Sequence, residues 1–354
     1  MTDYKAIMRM DHSFQPLLAA VQKNCNISDA LHAGDYTLCV YLLKMREYFR
    51  WEKGYPFSEP LSHSDIGSWL KEREKLWETL ENEPFTTLPV ENRDHDPFDA
   101  QRINKVLNPH GLVYSAGLGQ NGRPHFFLGR LEQRQEHENF TVLIAANEFA
   151  RDLTAPPAMS LGNTIFVRRE SLRRMIWEKI EEWNWNKLDN PMGRAIQCYD
   201  FDLDTERALN LMTDDQISTL LLHEIGEVMA SDHLGSAWEE MLADLPRSRI
   251  ELMLRAIRDH LADSLSTLPA LLTENSPSKI HFYFAMLTPL RKSLAPGLIS
   301  AYDEWRTTRS HTVFRQYVLT AQSHWKNLTS EVLQLHTCGA SLESLQNLID
   351  SRPL

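Results

Sequence analysis

The residue types best suited to chemistry lie in one segment, residues 213–235, which reads TDDQISTLLLHEIGEVMASDHLG. His223 and Glu227 are four positions apart in it, so on a helix their side chains share one face. The consecutive leucines just before them predict a helix that is buried on more than one side. A buried carboxylate is costly unless it is paired or binds a metal. The spacing therefore predicts a metal site centred on His223 and Glu227.

Further candidate ligands come from the next long helical pattern, RIELMLRAIRDHLADSL, residues 249–265. His260 falls on the apolar row of this pattern, and Asp263 follows three residues later. Together with His223 and Glu227 they would form a mixed set of imidazole and carboxylate ligands. Such a set suits iron or manganese as well as zinc. We therefore expect a divalent transition metal as the cofactor: iron, manganese or zinc.

Residues 223–233 resemble the active-site helix of the zincin metallopeptidases. The run HEIGE, with His233 ten residues after His223, is similar to the metzincin pattern HExxHxxGxxH. The resemblance implies that His223 and His233 are metal ligands and that Glu224 is the general base. It covers eleven residues of the chain. Glu227 stands where the family has its second histidine, and an alanine stands where the family has glycine.

These residues leave three hypotheses open for the function. The first is a metal-dependent oxidoreductase of the iron or manganese type, and the second is a zinc hydrolase similar to the zincins. The third is a non-enzymatic interaction or ligand-binding protein, in which the His/Glu pair is structural and bonds to an arginine of a neighbouring helix. Structural ion-pair networks of this kind imitate functional sites. The arginines available are Arg247, Arg249, Arg255 and Arg258. The substrate, a small molecule or a peptide, is not identified by the sequence.

Two other apparent motifs, a dinucleotide-binding motif and a calcium loop, are excluded by the sequence around them. Residues 117–122 spell GxGxxG, but they lie between two strand patterns, and no helix follows them as a dinucleotide fold requires. The dipeptide Asn121-Gly122 instead predicts a hairpin turn. The acidic triplet at residues 200–204 begins like a calcium loop but lacks the glycine and the glutamate that such a loop needs. We interpret it as a solvated acidic edge.

Two clusters of charge admit either a structural role or an anion site. The run MREYFRWEKG, residues 45–54, sets arginines and glutamates among large aromatic side chains. It predicts a buried lattice of ion pairs or, alternatively, an anion site built from arginine forks. Four arginines also crowd the start of a later helix, where they can bind an anion or an acidic surface of the same chain: Arg168, Arg169, Arg173 and Arg174. Tryptophans follow nearby, but a net charge of −11 argues against nucleic acid as a partner.

The elements that must position these residues are mainly helices. Helical patterns cover residues 15–53, with a second start near 35–37 and an end at Gly54, and then residues 64–81. Residues 82–100 resemble a linker. A three-stranded antiparallel meander is predicted over about 111–146, and a helix over 169–184. From about 214 onward we expect seven or eight helices, the first starting at a capping box of Thr213 and Gln216. The expected breaks are Gly235, Pro246, Pro269, Pro277 and Pro296.

The predicted fold class is mainly α (α+β), an irregular multi-helical bundle with a small antiparallel β-meander inserted in the first half. We divide the 354 residues into an N-terminal helical region (1–100), a small sheet region (101–165) and a C-terminal multi-helical domain (166–354). Four cysteines without a CxxC pair predict free thiols in a reducing cytoplasm. No signal peptide, membrane span or membrane partner is expected. The oligomeric state stays open.

Overall fold

The computed structural model describes residues 14–91, 93–119, 122–246 and 248–354. The chain divides into two compact units. The first runs up to Glu182 and includes Asp200–Asp214, and the second holds Trp183–Tyr199 and Asp215–Leu354. The limits of the three regions that we expected from the sequence stay a prediction. Helices predominate, as predicted, but the first unit also contains a five-stranded sheet, so the molecule is not purely a helical bundle.

The first unit opens with three helices: α1 (Gln15–His32), α2 (Leu38–Lys53) and α3 (His63–Glu78). Helix α2 ends at Gly54, whose φ of 68° places it in the left-handed region that favours glycine. The Ser62 hydroxyl caps α3 by accepting a hydrogen bond from the Asp65 N–H. All three helices were predicted from their apolar periodicity and end signals, with boundaries within three residues.

The segment expected to be a linker, residues 82–100, contains a small antiparallel pair of strands. Strand β1 (Leu88–Val90) pairs with β2 (Arg93–His95), and a short helix α4 (Ala100–Leu107) follows. The linker prediction is therefore wrong. Strands of three residues are too short to show an alternating pattern, and the prolines and asparagines around them are typical of loops.

The main sheet has the strand order β3-β4-β5-β7-β6. Strands β3 (Leu112–Leu118), β4 (Pro124–Glu136) and β5 (Thr141–Arg151) form the predicted antiparallel meander. Strand β7 (Thr164–Arg168) pairs with β5 in parallel, and β6 (Ala158–Leu161) pairs with β7 antiparallel. The prediction missed these two strands and with them the mixed character of the sheet.

The glycine-rich segment forms the β3–β4 hairpin, as expected. Gly117 lies in β3 opposite His125, and the Gly119 N–H donates to the Arg123 carbonyl at 2.8 Å. Gly122 has a φ of +69°, whereas Asn121 lies outside the described residues. A Cβ atom on Gly119 would lie 2.4 Å from the His125 ring, so close packing requires glycine there. A strand, not a helix, follows, and the dinucleotide motif stays excluded.

After the sheet the chain is helical. Helix α5 (Arg169–Asn184) has the predicted limits, and the short α6 (Pro191–Ile196) follows it. Helix α7 (Thr205–Leu234) carries the HEIGE segment. The remaining helices belong to the second unit: α8 (Ser236–Asp244), α9 (Arg249–Leu265), α10 (Thr267–Glu274), α11 (Pro277–Met286), α12 (Pro289–Leu294), α13 (Pro296–Thr308), α14 (Thr312–Thr337) and α15 (Leu342–Asp350).

Helix α7 begins nine residues earlier than predicted, at Thr205 rather than at about residue 214. The Arg207 N–H donates to Asp204 Oδ1 at its start, so the last aspartate of the acidic triplet is a helix cap. The Thr213 hydroxyl donates to the Leu209 carbonyl inside the helix, and the expected capping box is therefore wrong. The three consecutive leucines 220–222 are each half-buried.

The break predicted at Pro269 lies three residues earlier, at Ser266, and Pro269 itself lies in the first turn of α10. A proline is tolerated there since the N–H groups of a first turn have no partner within the helix. The core of the second unit is large and rich in aromatics, with Trp238, Trp305 and Trp325 fully buried. This core fixes the position of α9. None of the described helices is long and apolar enough to cross a membrane.

Candidate metal centre

Helices α7 and α9 approach each other closely at Gly226. A Cβ atom built on Gly226 would lie 2.3 Å from the carbonyl oxygen of Ala262, so the approach is possible only for glycine. On α7, the segment around this glycine carries the i, i+4 pair His223 and Glu227. On α9, the segment around Ala262 carries the i, i+4 pair Asp259 and Asp263. The close approach therefore brings two pairs of ionisable side chains together.

Three of these side chains converge. One ligand atom each from His223, Glu227 and Asp259 can be chosen so that all lie within 4.8 Å of one another. His223 Nε2 and Glu227 Oε1 are 3.6 Å apart. All three residues are partly exposed, so a small ligand can reach them. Among the described residues no other group of three histidines, cysteines or carboxylates is arranged in this way.

The fourth side chain, Asp263, lies behind the histidine. His223 Nδ1 is 2.8 Å from Asp263 Oδ1, which fixes the ring with Nε2 directed toward Glu227. The hydroxyls of Thr267 and Tyr283 also donate to this carboxylate, and Arg291 pairs with it. Although burial opposes ionisation, the charges of Arg291 and His223 hold the pKa of Asp263 well below its ordinary value. A carboxylate bonded to the second nitrogen of a histidine is the arrangement that orients metal-binding imidazoles.

The cluster holds more carboxyl groups than nearby cations neutralise. Burial, reinforced by the charge of Glu227, raises the pKa of Glu224 to about 7, and burial also raises the pKa of Asp259. Burial disfavours the charged form of His223, but Asp263 and Glu227 outweigh it and raise its pKa to about 9. The Arg258 guanidinium lies 3.6 Å from Glu227 and also pairs with Glu239 at 3.1 Å. Without a metal, the cluster therefore retains protons that a cation would displace.

Two of the predicted ligands, His233 and His260, lie apart from this cluster, and a third, Asp263, orients His223 and is not one of the converging ligands. His260 is buried, donates from Nε2 to the Arg291 carbonyl at 2.9 Å and stacks on Trp325 with ring centroids 4.9 Å apart. Burial, helped by Arg291, lowers the pKa of His260 to about 3. His233 is exposed on the same unbroken helix as His223, about 15 Å farther along its axis. The helix does not end early enough for His233 to return to the site.

The set that the structure brings together is thus His223, Glu227 and Asp259, with Asp263 orienting the histidine. Asp259 was missed by the sequence analysis. Its signal was the i, i+4 spacing of the two aspartates in RDHLAD, which matches the spacing on α7. Of the arginines expected beside the pair, Arg258 is present, Arg255 bonds to Glu251, and Arg247 lies outside the described residues.

The charge cluster of α2 is a lattice of ion pairs. Arg46 and Arg50 both bond to the buried Glu47, and Arg46 also pairs with Glu181. Glu52 pairs with Arg73. The structural interpretation of this run is confirmed.

The fold and the cluster define a two-unit α+β protein with a candidate metal centre in its helical second unit. Residues 16–168 match the N-terminal domain of DUF6866, a family of unknown function, and residues 173–352 match its C-terminal domain. The chain belongs to this family. The candidate centre lies within the part matched by the C-terminal domain. No curated protein and no solved structure matches the chain.

Proposed function

We propose that the second unit binds one divalent transition metal through His223 Nε2 and the carboxylates of Glu227 and Asp259. The observation that carries the proposal is the convergence of these three ligand atoms within 4.8 Å. A second observation supports it: Asp263 occupies His223 Nδ1 and leaves Nε2 for a ligand. Three protein ligands leave further coordination positions open, which is typical of catalytic rather than structural metal sites.

We propose a hydrolytic enzyme as the function that this arrangement supports best. A divalent metal bound there would supply a Lewis acid and lower the pKa of a coordinated water. A redox centre of the carboxylate-bridged type needs ligands for two ions. Among the described residues only one ligand group is found, and this favours a single ion. One imidazole with two carboxylates accommodates zinc, manganese or iron.

Glu224 is the proposed general base. It follows the ligand His223 directly in the chain, is 8% exposed and lies close enough to Glu227 to be affected by its charge. The zincin metallopeptidases, which this segment resembles, place their base at the same position. The proposed substrate is a small molecule or peptide with a bond that a metal-activated water can cleave. The redox alternative would be favoured if the bound metal were iron that changes its oxidation state.

The test measures the metal content and the folding stability of the same protein samples. The protein would be loaded in turn with Zn²⁺, Mn²⁺ or Fe²⁺, desalted, and analysed by plasma mass spectrometry and thermal unfolding. We expect about one equivalent of one metal, lost in His223→Ala and in Asp259→Asn. The matched control is His233→Ala, which removes an exposed histidine of the same helix and should retain the metal. Glu224→Gln should keep the metal and abolish hydrolysis.

Two outcomes would contradict the proposal. One is a wild-type protein that takes up no metal and whose unfolding temperature is unchanged by a chelator. The other is equal metal content in wild type and His223→Ala. If both ligand variants keep their metal content but lose stability, the His/Glu/Asp cluster is a structural ion-pair network.

A further inference from the structure

The first unit contains a buried arginine that is not directly bonded to a carboxylate. The Arg151 side chain, at the end of β5, is 1% exposed. Its Nε and Nη2 atoms have no hydrogen-bond partner among the described residues, and Nη1 comes only to 4.0 Å from Glu148. That glutamate already makes a two-pronged pair with Arg168, at 2.9 and 2.7 Å. A buried charge without a close partner is costly, so this arginine needs an explanation.

The guanidinium of Arg151 lies over two aromatic rings of α2. Its central carbon is 4.8 Å from the Trp51 ring centroid and 5.4 Å from that of Tyr48. These contacts contribute a cation–π attraction but no hydrogen bond. The stacked guanidinium therefore keeps donors available in its plane, which is the geometry in which arginine binds oxyanions.

Lys44 lies one turn before Tyr48 on the same face of α2. Its ammonium lies over the Tyr36 ring, 5.3 Å from the centroid, and the Tyr36 hydroxyl bonds to Thr154 just beyond β5. No carboxylate within 4 Å of this ammonium is found among the described residues. Burial, reinforced by the charges of Arg174 and Arg151, lowers the pKa of Lys44 to about 8, although the charges of Glu178 and Asp152 oppose this shift.

Arg174 on α5 reaches the same segment. Its Nη2 donates to the carbonyls of Thr154 and Ala155, and its Nη1 pairs with Glu178 at 2.9 Å. Only its Nε atom lacks a partner among the described residues. The carboxylate of Glu178 thus bonds Arg174 directly, whereas Lys44 and Arg151 make no direct bond to a carboxylate among the described residues.

The other buried acids nearby bond to other groups. Asp152 bonds to the His125 ring and to two backbone N–H groups. Glu170 accepts the Glu148 N–H, and burial next to the Glu148 charge raises its pKa to about 7. A carboxyl of that pKa is only partly ionised near neutral pH. Arg151 and Lys44 therefore remain without a directly bonded carboxylate among the described residues.

We propose that Lys44, Arg151 and Arg174 form a binding site for a phosphate group, either free phosphate or the phosphomonoester of a small metabolite. A phosphate dianion has the charge and the oxygens to bond both Arg151 and Lys44, neither of which bonds directly to a carboxylate among the described residues. Arginine forks and a lysine point charge are the side chains that proteins use for phosphate. This site lies in the first unit and is independent of the metal proposed for the second.

The experiment follows thermal unfolding and isothermal titration with inorganic phosphate at constant ionic strength, with chloride as the balancing anion. Wild type should show a saturable rise in unfolding temperature. Lys44→Met, which keeps the apolar stem and removes the charge, should weaken phosphate binding about tenfold or more. The matched control is Lys53→Met, an exposed lysine at the end of the same helix, which should respond as wild type does.

The design separates a site from general salt effects. Phosphate stabilises most proteins weakly by exclusion from their surface, and this effect is the same in both lysine variants. An equal response of Lys44→Met and wild type would therefore overturn the proposal, as would a wild type that does not respond. Acetate that binds as tightly as phosphate would overturn the dianion assignment. A glycerophosphate that binds more tightly than phosphate would identify a phosphomonoester as the occupant, and the reverse order would identify the free ion.

Discussion

The two units each bury a cluster of like charges, but of opposite sign. At the α7–α9 approach the surplus groups are carboxyls, and the pKa of Glu224 rises to about 7. At the end of β5 the surplus groups are cations, and the pKa of Lys44 falls to about 8. In both places burial is the main cause and like charges add to it. Each group shifts in the direction that favours its neutral form.

The difference between the clusters indicates what each can bind. A surplus of carboxyls beside an oriented imidazole fits a metal cation. A surplus of guanidinium and ammonium groups beside aromatic rings fits a phosphate. The Glu148–Arg168 pair between β5 and β7 shows the alternative, because its charges are matched and directly bonded. Unmatched charge, rather than charge alone, distinguishes the two candidate sites from ordinary buried ion pairs.

The largest effect on the free energy of unfolding is expected from Asp263→Asn. This change removes the negative charge from a buried residue that accepts from His223, Thr267 and Tyr283 and pairs with Arg291. Breaking one partner of a buried charge network costs about 3–5 kcal/mol. Denaturant unfolding would measure the loss. Asp189→Asn, at a surface ion pair with Arg194, should cost less than about 1 kcal/mol. Equal small losses in both variants would show that the network does not stabilise the second unit.

A smaller loss of stability is expected from Gly226→Ala. The added Cβ would meet the Ala262 backbone at 2.3 Å, and overpacking of this kind costs about 1–3 kcal/mol. It should also separate His223 from Asp259 and lower metal content. The control is Gly67→Ala in α3, where a Cβ meets nothing within 4 Å. That variant should be stabilised by about 0.5–1 kcal/mol. A stable Gly226→Ala protein with full metal content would contradict the close approach.

The pH dependence of the chelated protein gives a further test. The pKa of His223 is raised from 6.5 to about 9 in the folded state. The contribution of the protonated ring to the free energy of unfolding is therefore fully present below pH 6.5. It is lost as the pH rises through 9. We expect a decrease of about 2 kcal/mol across this window, less than the full shift implies because the side chain is partly exposed. His223→Gln should flatten this part of the profile. Bound metal should reverse the trend, since it competes with the proton.

The helices were predictable where local signals agree. Helices α1, α2, α3 and α5 have apolar periodicity, and Gly54 and Ser62 mark two of their ends. Strands β6 and β7 were missed because their pairing with β5 depends on contacts that no local pattern shows. The start of α7 was misplaced because Thr213 has the composition of a cap but lies inside a longer helix.

The candidate site was predictable only along one helix. His223 and Glu227 follow from their spacing on α7, whereas Asp259 depends on how α9 approaches α7 at Gly226. His233 was expected only from the resemblance to the metzincins. An alanine at position 230, in place of the family's glycine, lets the helix continue to Leu234.

The smallest expected effect is a gain in the free energy of unfolding rather than a loss, and it is expected at both clusters. Lys44→Met and Glu224→Gln each remove one member of a surplus of like charges. Without ligands, each variant should be stabilised by on the order of 1 kcal/mol, because a buried like charge is removed. Stability should be measured by denaturant unfolding at pH 7 after chelator treatment and in phosphate-free buffer.

The control variants for this test are Lys53→Met and Glu240→Gln, which alter exposed charges of α2 and α8. Both should change stability by less than about 0.5 kcal/mol. Stabilisation without ligand, combined with loss of phosphate binding in Lys44→Met and loss of hydrolysis in Glu224→Gln, would mean that each cluster trades stability for binding or chemistry. A loss of stability in either variant would mean that the charge it removes is already neutralised by a neighbouring group. The corresponding cluster would then be a structural ion-pair network, as the Glu148–Arg168 pair is.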